Sequence, residues 1–160
     1  MSSKTIYQEV ILDHNRKPRN YGSLDQPSHH AVGHNPLCGD RIDLGLEMMN
    51  NQINQIAFHG ESCAICKASA SMMTSAVKGK SPEEAEVLIQ EFRSMVMGTL
   101  NLSGQHHLGR LAVFEGVRDL PTRVKCAILP WHTLHAALHS VSNISTEENQ
   151  EVTQASAVSL

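Results

Sequence analysis

The chain has 160 residues, 41% hydrophobic and 18% charged, which suits one ordinary globular domain and excludes a charge-rich disordered chain or a bare coiled coil. Lys and Arg number 13 against 16 Asp and Glu, a formal net charge of -3, so there is no overall positive field to grip nucleic acid or an anionic membrane. No run approaches the ~18 uninterrupted apolar residues of a membrane-spanning helix, and Glu9 and Asp13 interrupt the first apolar pattern; neither a secretory signal nor a membrane anchor is expected, and the expected location is the cytoplasm.

Between Thr5 and His14 the apolar residues Ile6, Val10 and Ile11 recur at helical spacing, which predicts a short docking helix stopped before Pro18. The following loop, Asn15 to Gly22, gathers Arg16, Lys17 and Arg19 and reads as a solvated basic surface. Alternation of Ile42, Leu44, Leu46 and Met48 predicts a strand from Arg41 to Met49, covered on one face, with Ile53 to His59 as its antiparallel partner. Asn50-Asn51 between them suits a two-residue hairpin turn, because Asn tolerates positive φ.

Gly60 closes the second strand, and Ser62 is read as the N-cap of a helix from Cys63 to Met73, whose Ala and Ser side chains permit close packing. Ser81-Pro82-Glu83-Glu84 spells a capping box for a helix reaching about Met97. Ser103 to Arg110 reads as a loop, and a final helix is predicted from near Cys126 to about Ser140. Beyond it the composition turns to Ser, Thr, Glu, Gln and Asn without a period, which predicts a domain over residues 1–140 and a disordered tail over 141–160. The fold class is therefore α+β, a small antiparallel sheet with helices packed on one side.

In a reducing compartment the four cysteines point to metal or sulfur chemistry rather than to disulfides. Cys38 and Asp40 flank Gly39 in the turn Asn35-Pro36-Leu37-Cys38-Gly39-Asp40; Cys63 lies at a strand-to-helix junction; Cys126 follows a Pro-containing loop. Glycine between Cys38 and Asp40 allows both side chains to approach one point. Three thiolates and one carboxylate form a tetrahedral donor set for Zn²⁺, and helix N-termini at Cys63 and Cys126 favour thiolates. Cys66 completes a Cys63-Ala64-Ile65-Cys66 spacing and reads equally as a spectator or as a rival for the fourth ligand or a resolving thiol. Thiolates serve zinc, iron and persulfide chemistry alike, so ligand type alone leaves these open.

The segments Tyr7 to Asn20, Asn35 to Asp40, Cys63-Ala64-Ile65 with Ala68 to Met73, and Arg123-Val124-Lys125-Cys126-Ala127 together resemble the SufU branch of the IscU/NifU N-terminal family of iron–sulfur cluster assembly proteins. The resemblance runs from about Ile6 to Ser140. Lys125, where scaffold-type members carry His before the third motif cysteine, and the long interval between Cys63 and Cys126 favour the SufU branch; Cys66 departs from the family pattern. The resemblance implies an IscU/SufU-like fold, a zinc ion held by Cys38, Asp40, Cys63 and Cys126, and a sulfurtransferase role in which Cys38 accepts persulfide sulfur from a pyridoxal-phosphate cysteine desulfurase of the SufS type. It further implies that Arg123 engages the desulfurase and that a downstream iron–sulfur scaffold receives the sulfur. The alternative is a scaffold that holds transient iron or a [2Fe–2S] cluster on the same residues.

Other residues have structural readings. His29, His30, His106 and His107 read as solvated, Met72, Met73, Met95 and Met97 as core filler, and Trp131 and His132 as packing residues of the last helix.

Overall fold

The computed structural model describes residues 3–140 and 143–146. Its elements are helix α1 (Ser3–Arg16), strands β1 (His29–Asn35), β2 (Asp40–Met49) and β3 (Gln52–His59), helices α2 (Ala64–Val77) and α3 (Pro82–Val96), a 3₁₀ segment (Gly109–Val117), helix α4 (Pro121–Leu138) and strand β4 (Asn143–Ser145). The sheet runs β3-β2-β1-β4. β2 is antiparallel to both β1 and β3, and β4 joins β1 in parallel.

The predicted hairpin is present, with Asn50 and Asn51 at φ 54° and 60°, the paired positive values that match the twist of two strands joined tightly. The register sets Leu44 opposite Phe58 and Leu46 opposite Ile56. These four, with Ile42 and Ile53, are at most 2% exposed and form the face on which the helices lie. α4 crosses β1 at Gly33, where an added Cβ would strike the Thr133 hydroxyl and lie 3.1 Å from Leu129. Contact this close explains a glycine in mid-strand.

Behind the sheet, Trp131 stacks on Phe92 at 4.6 Å between ring centroids, and Phe114 meets Phe92 edge-on. The indole N–H of Trp131 donates to Ser69 Oγ, which in turn donates to the carbonyl of Ala127 at 2.6 Å; a small hydroxyl thus locks α2 onto α4. The capping box of α3 is complete, Ser81 Oγ accepting from Glu84 N and Glu84 Oε1 from Ser81 N.

Four expectations change. The cap of α2 is Cys63 itself, whose sulfur accepts from Cys66 N, rather than Ser62. α4 begins at Pro121, not near Cys126, because Pro at the first helical position starts a helix as readily as it ends one; Cys126 therefore lies in its second turn. Chain beyond Ser140 returns to the sheet as β4, with Ile144 6% exposed, so the ordered domain extends past the expected boundary. The remainder of the expected tail, residues 141–142 and 147–160, lies outside the described residues. Met97, expected in the core, is 61% exposed. Among the described residues no helix is long and apolar enough to cross a membrane.

Candidate metal centre

The turn between β1 and β2 is pinned by one carbonyl, Asn35 O, which accepts from Cys38 N at 3.2 Å and Gly39 N at 2.9 Å. Gly39 has φ 72°, the left-handed region where a side chain is strained. The turn leaves Cys38 exposed and drives Asp40 inward to 3% exposure.

Asp40 organises the floor of the site. Its Oδ1 accepts from Cys63 N at 2.8 Å, and its Oδ2 lies 3.7 Å from Cys63 Sγ. From the other side α4 delivers Cys126, whose Sγ is 3.3 Å from Cys38 Sγ and accepts from Asn35 Nδ2 at 3.7 Å. One ligating atom from each of Cys38, Asp40 and Cys126 falls within 4.8 Å of the others, and Cys63 closes the group through Asp40. Pro130 within α4 has no N–H for the carbonyl of Cys126 one turn earlier, so the helix ladder is open beside this ligand.

The electrostatics separate the thiols. The Cys63 thiol is brought down to about 7, chiefly by a hydrogen bond from Cys126, with help from the N–H groups of Cys66 and Ile65 at the start of α2 and against the effect of burial. Cys126 moves the opposite way, as the donor to Cys63 and as a buried group. Cys66 is fully buried in the core, and burial pushes its thiol well up. It contributes a backbone N–H to the site, while its sulfur is absent from the ligand group.

Donor chemistry fits a zinc ion. Zn–S bonds of ~2.3 Å place tetrahedral sulfurs ~3.8 Å apart, and with a Zn–O bond of ~2.1 Å a sulfur and a carboxylate oxygen stand ~3.6 Å apart; the 3.3 Å between Cys126 and Cys38 needs to open by a few tenths of an ångström, and the 3.7 Å between Cys63 and Asp40 already fits. Of the four residues singled out in the sequence, Cys38, Asp40 and Cys126 gather in one group, while Cys63 lies against Asp40 with its sulfur outside that group.

Arg123 stands in the first turn of α4, exposed, and lines a groove with Ile6, Tyr7, Ala64 and Leu120. It is a neighbour of the site rather than a member of it. His107 is bonded through N and Nδ1 to Glu91, His29 to Ser28 and His30 to Asp43, all away from the thiols. Sequence reasoning missed the part played by Asn35: fully buried, it touches Cys126 through Nδ2 and accepts from Thr146 Oγ1 through Oδ1 at 3.2 Å. Its place in the Asn-Pro turn beside Cys38 was the available signal.

The profile of the NifU-like N terminal domain matches residues 6–148. The "Iron-sulfur cluster assembly scaffold protein IscU" of Streptococcus pyogenes serotype M1 is 40% identical over 92% of this chain and 91% of its own. The "Zinc-dependent sulfurtransferase SufU" of Bacillus subtilis (strain 168) is 41% identical over 81% of this chain and 87% of its own. Among solved structures, a putative iron–sulfur cluster assembly scaffold protein for the SUF system from Fervidobacterium islandicum AW-1 superposes with a TM-score of 0.75 at 31% identity, covering 86% of this chain and 99% of that one.

Proposed function

The chain belongs to the family of the NifU-like N-terminal domain, and on that premise we propose that this iron–sulfur cluster assembly protein is a zinc-dependent sulfur acceptor for a pyridoxal-phosphate cysteine desulfurase of the SufS type. The observation that carries the reading is the gathering of Cys38, Asp40 and Cys126 within 4.8 Å, with Cys63 held against Asp40. Lys125, at the position where scaffold-type members have His, supports it, as does the similar relative named a zinc-dependent sulfurtransferase.

Zinc bound by these four residues would hold their thiols ionised and shield them from oxidants. The roles of the chain's own groups follow from their mounting. Cys63 caps a helix and Cys126 lies within one, so both are fixed by packing. Cys38 is exposed on a turn held by Asn35 O, and is the nucleophile. Its thiolate attacks the terminal sulfur of the desulfurase persulfide; the S–S bond of the donor breaks, the donor cysteine leaves as thiolate, and Cys38 retains the sulfur as its own persulfide. Arg123, exposed at the groove beside Tyr7, meets the desulfurase. A downstream iron–sulfur scaffold then takes the sulfur.

A second reading, a scaffold that assembles a [2Fe–2S] cluster as cargo, is favoured by the name of the Streptococcus pyogenes relative and by thiolates that suit iron as well as zinc. Incubation of the zinc-loaded protein with desulfurase and cysteine separates the two. Faster desulfurase turnover with a persulfide on this chain supports sulfur acceptance. Unchanged turnover, together with a stable iron–sulfur chromophore after anaerobic addition of ferrous iron and sulfide, supports the scaffold.

A further inference from the structure

Two groups among the described residues gather three ligating atoms within 4.8 Å: the thiol centre and a second one, Glu86, His135 and His139. His135 and His139 are one turn apart on α4, their rings 4.3 Å between centroids, and Glu86 reaches them from α3. Glu86 Oε1 is 2.8 Å from His135 Nδ1 and 3.1 Å from His139 Nε2. At a rise of ~1.5 Å per residue, His135 lies about 14 Å along the helix axis from Cys126, so this group shares a helix with the thiol centre but no ligand.

We propose that Glu86, His135 and His139 form an independent, exchangeable site for one divalent transition-metal ion of borderline softness, such as zinc or nickel. Two imidazoles at helical spacing with a carboxylate suit these ions and leave coordination positions for water. In a tetrahedral site with metal–ligand bonds of ~2.0–2.1 Å, ligand atoms stand ~3.3 Å apart. The observed distances of 2.8 and 3.1 Å therefore need only a slight opening. The side chains can provide it, being 43%, 49% and 29% exposed for His135, His139 and Glu86.

The setting also fits a cation. The group sits at the C-terminal end of α4, which ends at Leu138, where the helix dipole makes the local potential negative. The pair His30 and His59 beside Asp43, 2.6 and 3.7 Å from its carboxylate, does not gather into such a group and serves as an internal control.

The test is calorimetric titration of nickel into the full chain already loaded with one equivalent of zinc. One further ion per chain is expected, with a rise in melting temperature. His135→Ala/His139→Ala should weaken this binding at least tenfold and remove the thermal shift, and Glu86→Gln should weaken it while preserving shape. His30→Ala/His59→Ala should leave it intact. No added ion, equal binding by the Glu86→Gln and parent proteins, or equal loss in the His30/His59 variant would overturn the proposal. Sulfur acceptance at Cys38 is measured separately and does not depend on this outcome.

Discussion

Cys126, in the second turn of α4, is 3% exposed and meets side chains from two other stretches of chain, whereas His135 and His139, at the end of the same helix, are about half exposed and meet one residue of α3. The thiol cluster ties α4 to the β1–β2 turn and to the start of α2, so an ion held there couples directly to the fold. The histidine cluster joins two helices that the Trp131–Phe92 stack already holds together. One helix thus carries a buried thiol at one end and an open pair of histidines at the other.

The largest separation between the ends should come from removing ligands. Cys63→Ala or Cys126→Ala is expected to abolish tight zinc binding and lower the melting temperature by about 10 °C, since a ligand present at ~1,000 times its Kd stabilises by about 4 kcal/mol. His135→Ala/His139→Ala should lower it by no more than about 3 °C, the scale of an exposed interaction. Equal losses at the two ends in thermal melts with metal analysis would erase the distinction.

Next in size is a pH effect at the histidine end. His132, one turn before His135, has a buried Nδ1 with no hydrogen-bond partner among the described residues, and burial, reinforced by Arg93, holds its pKa down from 6.5 to about 4. The unfolded chain binds this proton first, so stability is complete above about 6.5 and is lost as pH falls toward 4. The loss is of order 2–3 kcal/mol. Denaturant melts of His132→Leu should show this part of the acid slope missing; an unchanged slope would assign the effect elsewhere.

A smaller effect sharpens the membership of the thiol centre. Cys66→Ser places a hydroxyl in the core and should cost about 1–2 kcal/mol with one zinc per chain retained. Asp40→Ala should keep some metal but release it faster to a chelator. The reverse pattern, with zinc lost in Cys66→Ser and firmly held in Asp40→Ala, would make Cys66 the fourth ligand. Arg123→Ala should change neither stability nor zinc content, because the side chain is exposed, and should reduce only desulfurase stimulation at matched ionic strength.

Legibility in the sequence followed the range of the interactions. The hairpin at Asn50-Asn51, the alternation of β2 and the capping box at Ser81 are written in adjacent residues and were readable. β1 was not, because Ala31 and Val32 are buried on opposite faces of the strand, with α4 lying over Gly33, which removes the period-two pattern. β4 has three residues and depends on β1 for every pairing. The candidate ligands stood out because cysteine in a turn or at a helix start is chemically conspicuous. Asn35 was not singled out as part of the site, since its contacts with Cys126 and Thr146 span 91 and 111 positions. The start of α4 was misplaced because Pro121 was read as loop, and with it the view of Cys126 as a helix-start thiolate; in the second turn its thiol is pushed up, not down.

Sulfur acceptance at the exposed turn is tested most directly by brief reaction of the zinc-loaded chain with desulfurase and cysteine, followed by rapid alkylation and peptide mass mapping. The expected result is a persulfide on the Cys38 peptide at the earliest time, with Cys63 and Cys126 unmodified. Early persulfide on Cys126 with none on Cys38 would contradict it.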